Sequence, residues 1–279
     1  MTFPLIKNTS LGIKFLIFAL LLIFGLTFSG VLGLFFAANI KLAQVISQVV
    51  GFMLPPIAYV MLVKEKPFNY LGFNKLPIWS LLGIVAMFTI IPFLSMVSNW
   101  NDSIAFPESM STLETTLRNL QEMNNSISEQ MMNSSSLFVG LLIFAVLAAI
   151  SEELLFRSVI QKAFIRVFGN AHVGIIVTAI VFSAFHGDFY GFFPRAILGM
   201  MLGYMFYLSG SIWPSMLMHF TNNATIVILY FMKRKEIINI DVENFGQTNN
   251  VLVIVLSLIV TMAIFITCNR FSKRQDLQD

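Results

Sequence analysis

The 279 residues are 57% hydrophobic and only 11% charged, with a mean hydropathy of +0.81. Soluble domains carry about 25% charged residues, so this composition excludes an ordinary soluble protein and predicts an all-α, polytopic membrane protein. A closed β-barrel is excluded as well, because its strands would form short alternating segments instead of long apolar runs.

Eight apolar runs are long enough to cross about 30 Å of hydrocarbon. They lie at about 12–36, 43–63, 78–99, 136–156, 173–190, 194–209, 213–232 and 251–269. The first run is too long for the core of a cleavable signal peptide, so we expect it to be retained. Pro55-Pro56 is expected to kink the second. The sequence therefore predicts about eight transmembrane helices in a single domain, residues 1–279.

Basic residues indicate the orientation, because cytoplasmic loops are enriched in lysine and arginine. They occur in segments 64–77 and 157–172 and in the tail from Arg270. This distribution predicts a multi-pass protein of the cell membrane with both termini in the cytoplasm. The run Lys233-Arg234-Lys235 falls on the opposite side and breaks the pattern.

Residues 100–135 form the one polar region of any size. Ser111 and Glu114 have the spacing of a helix capping box, and apolar residues then follow at helical spacing. We therefore predict an amphipathic helix in this loop. It either lies in the bilayer interface or acts as a lid over a substrate site.

Polar residues interrupt the apolar sequence in three clusters, and such residues are costly to place in lipid. In the first cluster, Glu153 and Arg157 are four residues apart, so we expect an ion pair on one face of a helix. Glu152 is rotated from Glu153 by about 100° and lacks that partner. By itself, Glu152 is either a functional carboxylate or a boundary residue solvated by lipid headgroups.

The other two clusters contain histidines. His186 follows Phe182 by four residues, and His219 and Asn223 are also four apart, which places each pair on one helix face. Any of these side chains taken alone is equally compatible with a hydrogen bond that packs two helices.

A turn signal links the first two clusters. Gly169-Asn170 predicts a turn between two helices, with Glu152 about 17 residues before it and His186 about 16 residues after it. Equal distances from the turn of an antiparallel hairpin place both residues at one depth. On the same count His219 lies about two helical turns away from them.

These residue types suit amide hydrolysis. A sheltered carboxylate beside an imidazole can activate water, and a second imidazole with an amide can stabilise the oxyanion. Glu152, His186 and His219 are alternatively suited to bind a divalent metal such as zinc, with a position open for water. The sequence contains no His-Glu-x-x-His motif, phosphate-binding loop or nucleophile elbow.

In type, spacing and order, these clusters resemble the three motifs of the CPBP intramembrane proteases. That family includes the type II CaaX prenyl endopeptidases and bacteriocin-processing or self-immunity proteins. The motifs stand in this chain as Glu152-Glu153-…-Arg157, Phe182-…-His186 and His219-…-Asn223. The resemblance covers about residues 136–232 and implies an eight-helix intramembrane endopeptidase.

The resemblance also implies roles for the motif residues. Glu152 and His186 activate water, and His219 and Asn223 surround the oxyanion. The remaining three motif residues, Glu153, Arg157 and Phe182, give structural support.

We therefore predict an intramembrane peptidase that cleaves a membrane-associated protein or peptide, for which a prenylated, CaaX-like chain is one candidate. The favoured mechanism needs no cofactor, and the expected partners are the substrate and the bilayer, with no nucleic acid. The alternatives are a non-enzymatic scaffold, a bacteriocin self-immunity protein, and a proton-coupled transporter in which Glu and His relay protons.

Overall fold

A computed structural model describes residues 9–242 and 244–272, and all regular secondary structure in these residues is helical. We number the ten main helices in chain order. They are α1 (Leu11–Phe35), α2 (Ile40–Val63), α3 (Ile78–Thr89), α4 (Ile91–Asp102), α5 (Ser111–Asn133), α6 (Leu137–Phe168), α7 (Ala171–Ala184), α8 (Phe192–Ser209), α9 (Ile212–Arg234) and α10 (Val251–Phe271). The all-α prediction is confirmed for this part of the chain.

Several of these helices are suited to cross a membrane. By length and composition α1, α2, α6 and α10 qualify, and α3 with α4, bent by 48°, makes a fifth span if the pair counts as one. Of the four remaining helices, α5 belongs to the polar loop, and α7, α8 and α9, which overlap predicted runs, do not qualify. The first of them has only 14 residues, and the other two contain Arg195, His219 and two asparagines. Each predicted run overlaps a helix or the α3–α4 pair, but the fifth was predicted to continue to residue 190, whereas α7 ends at Ala184. A count of eight spans and the orientation of the termini stay predictions.

Helix α6 is longer than the predicted run, because it continues beyond residue 156 to Phe168. Three of the polar side chains in this extension have partners inside the protein. Arg157 is fully buried and pairs with Glu153, while Gln161 and Lys162 donate hydrogen bonds to backbone carbonyls of neighbouring segments. This part of 157–172 is therefore helical core instead of a segment exposed beyond the span.

The wider π-helical geometry occurs twice in α6, at Leu141–Leu147 and Phe156–Gln161. The two stretches lie on either side of Glu152. Such turns change the register of a helix and are frequent at functional sites.

A third π-helical stretch, Ser47–Met53, lies in α2 directly before Pro55-Pro56. Proline lacks an N–H and crowds the carbonyl four residues earlier, and a wider turn accommodates both effects. The kink expected at these prolines stays a prediction.

Two tight turns join the helices that carry the three motifs. Gly169 ends α6 and Gly210 ends α8, each at a φ of 61°, a conformation that glycine adopts without a Cβ penalty. Asn170 caps α7 by accepting a hydrogen bond from the backbone N–H of Val173 at 3.1 Å. The predicted turn at Gly169-Asn170 is confirmed.

The predicted helix in the polar loop is α5, but the predicted capping box is wrong. Ser111 is the first helical residue, and Met110 holds the cap position without a side-chain hydrogen bond. Glu114 accepts instead from the backbone N–H of Phe106 at 3.1 Å. The carboxylate therefore fixes the chain that precedes the helix.

Candidate active site

The α6–α7 hairpin brings Glu152 to His186, as the equal distances from the turn predict. Glu152 Oε2 lies 4.0 Å from His186 Nε2. His186 Nδ1 is 2.9 Å from the carbonyl oxygen of Phe182. Because a carbonyl only accepts, Nδ1 donates, and in the neutral ring the Nε2 atom that faces Glu152 is unprotonated.

His219 lies close to the same carboxylate oxygen, Glu152 Oε2. Its Nε2 lies 3.7 Å from Glu152 Oε2, closer than His186, so the expected offset of two turns is wrong. That count assumed regular, straight α-helices, whereas residues 185–191 between α7 and α8 are not helical and α6 contains two π-helical stretches.

Glu153 has a second contact that its spacing from Arg157 did not predict. One carboxylate oxygen accepts from Arg157 Nε at 2.9 Å, and the other accepts from His219 Nδ1 at 3.0 Å. A carboxylate on Nδ1 fixes the orientation of an imidazole, so it directs Nε2 of His219 towards Glu152. Glu153 and His219 are 66 residues apart, and only the folded chain shows that they are bonded.

Phe182 packs against both imidazoles. Its ring centroid is 5.0 Å from that of His186 and 6.0 Å from that of His219. The Arg157 guanidinium faces the same ring at 5.2 Å, within the range of a cation–π contact. The ring is therefore in contact with the buried cation and with both imidazoles.

Asn223 lies one helical turn beyond His219, on the wall of the same cavity. Its Nδ2 donates to the carbonyl oxygen of Phe144 at 3.0 Å, and its Oδ1 accepts from Asn222 at 3.0 Å. An amide nitrogen has two hydrogens, so one donor of Asn223 is still available.

These side chains line a cavity of about 630 Å³. Glu152, His186, His219 and Asn223 all contribute to its wall, as does one face of α5 through Gln121, Asn125 and Ser128. On another face of α5, Leu113, Leu120 and Met123 are exposed. The polar loop therefore lines one side of the cavity and also presents apolar residues outwards. Its role as an interfacial helix or as a lid stays a prediction.

The geometry also tests the alternative metal site. Ligand atoms of tetrahedral zinc lie about 3.3–3.6 Å apart when each metal–ligand distance is about 2.0–2.2 Å. Both Nε2 atoms are farther than this from Glu152 Oε2, at 3.7 and 4.0 Å. Among the residues that the structure describes, no group of three or more His, Cys, Asp or Glu side chains is arranged to hold a metal ion. The observed distances are longer than those between the ligands of a bound zinc ion, and the absence of a metal requirement stays a prediction that chelation tests.

The wall also contains Asp188 and Arg195, which are joined by an ion pair and belong to none of the three motifs. An arginine within the apolar α8 was the signal that could have identified them, since a charge there requires a partner.

Comparison with known proteins adds one finding. Residues 134–225 match the family model described as Rce1-like, type II CAAX prenyl endopeptidase. No curated protein matches the chain, and neither does any solved structure. The matched range holds all three motifs and every residue described above as a contact of Glu152 or Glu153. Residues 134–225 are therefore similar to the Rce1-like type II CAAX prenyl endopeptidases, a family of proteases, in agreement with the resemblance to CPBP intramembrane proteases.

Proposed function

We propose that this protein is an intramembrane endopeptidase that uses Glu152 to activate water. One observation carries the proposal. Glu152 Oε2 is buried and has no hydrogen-bond partner among the described residues, although two histidines face it. A carboxylate with a free acceptor, sheltered beside imidazoles, is suited to take a proton from water.

The first step is attack on the carbonyl carbon. Glu152 accepts one proton of the water, and the unprotonated Nε2 of His186 accepts a hydrogen bond from it. The water oxygen forms a bond to the carbonyl carbon, and the π electrons of the C=O bond move to its oxygen. The product is a tetrahedral oxyanion.

The oxyanion then needs donors. His219 Nδ1 donates a hydrogen bond to Glu153. When the ring is an imidazolium, Nε2 also carries a hydrogen and can donate it to the oxyanion. In this form the carboxylates of Glu152 and Glu153 lie on two sides of the charged ring. Asn223 supplies the amide hydrogen that Phe144 does not use. Donors placed where charge develops stabilise the transition state more than they stabilise the bound substrate.

The tetrahedral species collapses by cleavage of the C–N bond. Glu152 transfers its proton to the leaving amine, and the electrons return from the oxygen to reform the carbonyl. The products are a carboxylic acid and an amine, and Glu152 is again a carboxylate. The scheme needs no metal or other cofactor.

For the substrate, we propose a membrane-associated protein or peptide, with prenylated CaaX-like chains as the first class to examine. The family description supports this choice. The cavity has room for a short peptide segment, and its wall combines apolar residues such as Ile91 and Leu198 with the polar catalytic set.

The proposal is tested by comparing the membrane proteomes of cells that express wild-type protein or Glu152→Gln. We expect uncleaved proteins to accumulate in the variant and the matching new chain termini to disappear. Glu129→Gln, on the exposed side of α5, is the control and should process like wild type. If Glu152→Gln also processes like wild type, hydrolysis by Glu152 is wrong and a scaffold or immunity role gains support.

A further inference from the structure

The histidine that faces Glu152 is not held by a regular helix. His186 lies just after α7, which ends at Ala184. Gly187 follows it with a φ of 63°, so the chain turns sharply at this point. The hydrogen bond from Nδ1 to Phe182 orients the ring, but other contacts must hold the turn itself.

Asp188 supplies two of these contacts. Its Oδ1 accepts from the backbone N–H of Gly191 at 3.1 Å, which closes the turn. Its Oδ2 accepts from Arg195 Nη2 at 3.0 Å, which connects the turn to the first turns of α8. One carboxylate therefore connects the chain beside His186 to a packed helix.

The ion pair is seated directly over Gly191. A Cβ atom at this position would come within 2.3 Å of Asp188 Oδ2 and 2.9 Å of Arg195 Nη2. The φ of Gly191 is −102°, a value that any residue adopts. A Cβ atom at this position would therefore have to displace the ion pair, although the backbone conformation would tolerate it.

Asn101, a fully buried residue of α4, holds the same turn from the opposite direction. Its Nδ2 donates to the carbonyl oxygen of Phe189 at 3.1 Å, and its Oδ1 accepts from the backbone N–H of Phe193 at 2.9 Å. The turn is thus fixed to two helices.

We propose that the Asp188–Arg195 ion pair, seated over Gly191, is the positioning element that holds His186 at its working distance from Glu152. Both charged residues act through His186 and are positioning residues. Their effect on catalysis depends on the proposed peptidase function, whereas their effect on the turn does not.

The most selective variant is Gly191→Ala, which displaces the ion pair and removes no charge. Gly30→Ala is the matched control, because a Cβ at Gly30 in α1 meets nothing within 4 Å. With the substrate identified by proteome comparison, we expect kcat of Gly191→Ala to fall about 10–100-fold, the loss that a misplacement of about 1 Å produces. KM should change little, and Gly30→Ala should match wild type.

Asp188→Asn, Arg195→Gln and the double variant test whether the two residues act as one unit. Asp188→Asn keeps the acceptor for Gly191 and removes only the charge. Positioning by the pair predicts that the double variant loses no more kcat than either single variant. A rise in KM for Arg195→Gln, with Asp188→Asn like wild type, would show that Arg195 binds substrate directly and would overturn the proposal.

Hydrogen exchange supplies a readout that needs no activity. Amides of residues 185–191 should exchange faster in Gly191→Ala and Asp188→Asn than in wild type, while α10 stays unchanged. If exchange in the turn is unaltered in both variants, the ion pair does not hold the turn and the inference fails, whatever the proteome comparison shows. Faster exchange without any peptidase activity would leave the positioning role intact and reject the proposed function alone.

Discussion

Neighbouring glutamates with opposite roles give the sharpest prediction. Glu152 and Glu153 are adjacent in α6, and each can be replaced by the nearly isosteric glutamine. Glu153 is fully buried and bonded to both Arg157 and His219. The Oε2 atom of Glu152 is equally buried but has no hydrogen-bond partner in the described part of the chain. The two variants should therefore separate stability from catalysis.

The expected loss in free energy of unfolding follows from Arg157, whose side chain has no exposed surface. Glu153→Gln leaves this cation buried without a counter-charge, and breaking a buried pair in this way costs about 3–5 kcal/mol. The glutamine side chain can accept a hydrogen bond from either Arg157 or His219, but its NH₂ group then faces the other donor. We expect Glu153→Gln to lower the free energy of unfolding by that amount. Glu152→Gln should change it by less than about 1 kcal/mol, because no hydrogen bond is lost.

Unfolding in mixed detergent micelles, followed by circular dichroism, measures both values. Glu153→Gln/Arg157→Met is the control that removes both charges, and it should recover most of the lost stability. If Glu153→Gln unfolds within about 1 kcal/mol of wild type, the buried ion pair does not stabilise α6 as argued.

Three further predictions concern the site and helix α5. His186→Gln should lower kcat by at least about 100-fold with little loss of stability, measured by peptide cleavage and thermal unfolding; an active variant would remove His186 from the mechanism. Incubation with EDTA or 1,10-phenanthroline should leave cleavage unchanged, whereas a loss that added zinc restores would establish a metal-dependent reaction. Arg118→Gln removes the 2.6 Å ion pair with Asp102 and the 3.5 Å contact with the Tyr190 ring, so the amide hydrogens of α5 should exchange faster. Unaltered exchange would show that Arg118 does not hold α5 in place.

Much of the fold follows from the sequence, since long apolar runs have few alternatives to helix in a bilayer. The Glu152–His186 pair was also predictable, because a turn at Gly169-Asn170 makes distance along the chain a measure of depth. The ion pair of Glu153 with Arg157 required only helical spacing. These are local or nearly local relations.

Relations that depend on long-range packing were not predictable. His219 of α9 lies close to Glu152 of α6, and no spacing rule indicated the π-helical stretches of α6. Its bond to Glu153 joins two distant segments. Glu114 was expected to cap α5, but the folded loop offers it the backbone N–H of Phe106, a competing partner that appears only once the chain is packed.

The central claim is that Glu152 activates the water that cleaves the peptide bond. Cleavage by purified protein in lipid nanodiscs, carried out in ¹⁸O-labelled water and followed by mass spectrometry, tests it most directly. We predict that wild-type protein places one ¹⁸O atom in the new carboxyl group and that Glu152→Gln forms no labelled product. Labelled product from Glu152→Gln at the wild-type rate would contradict the claim.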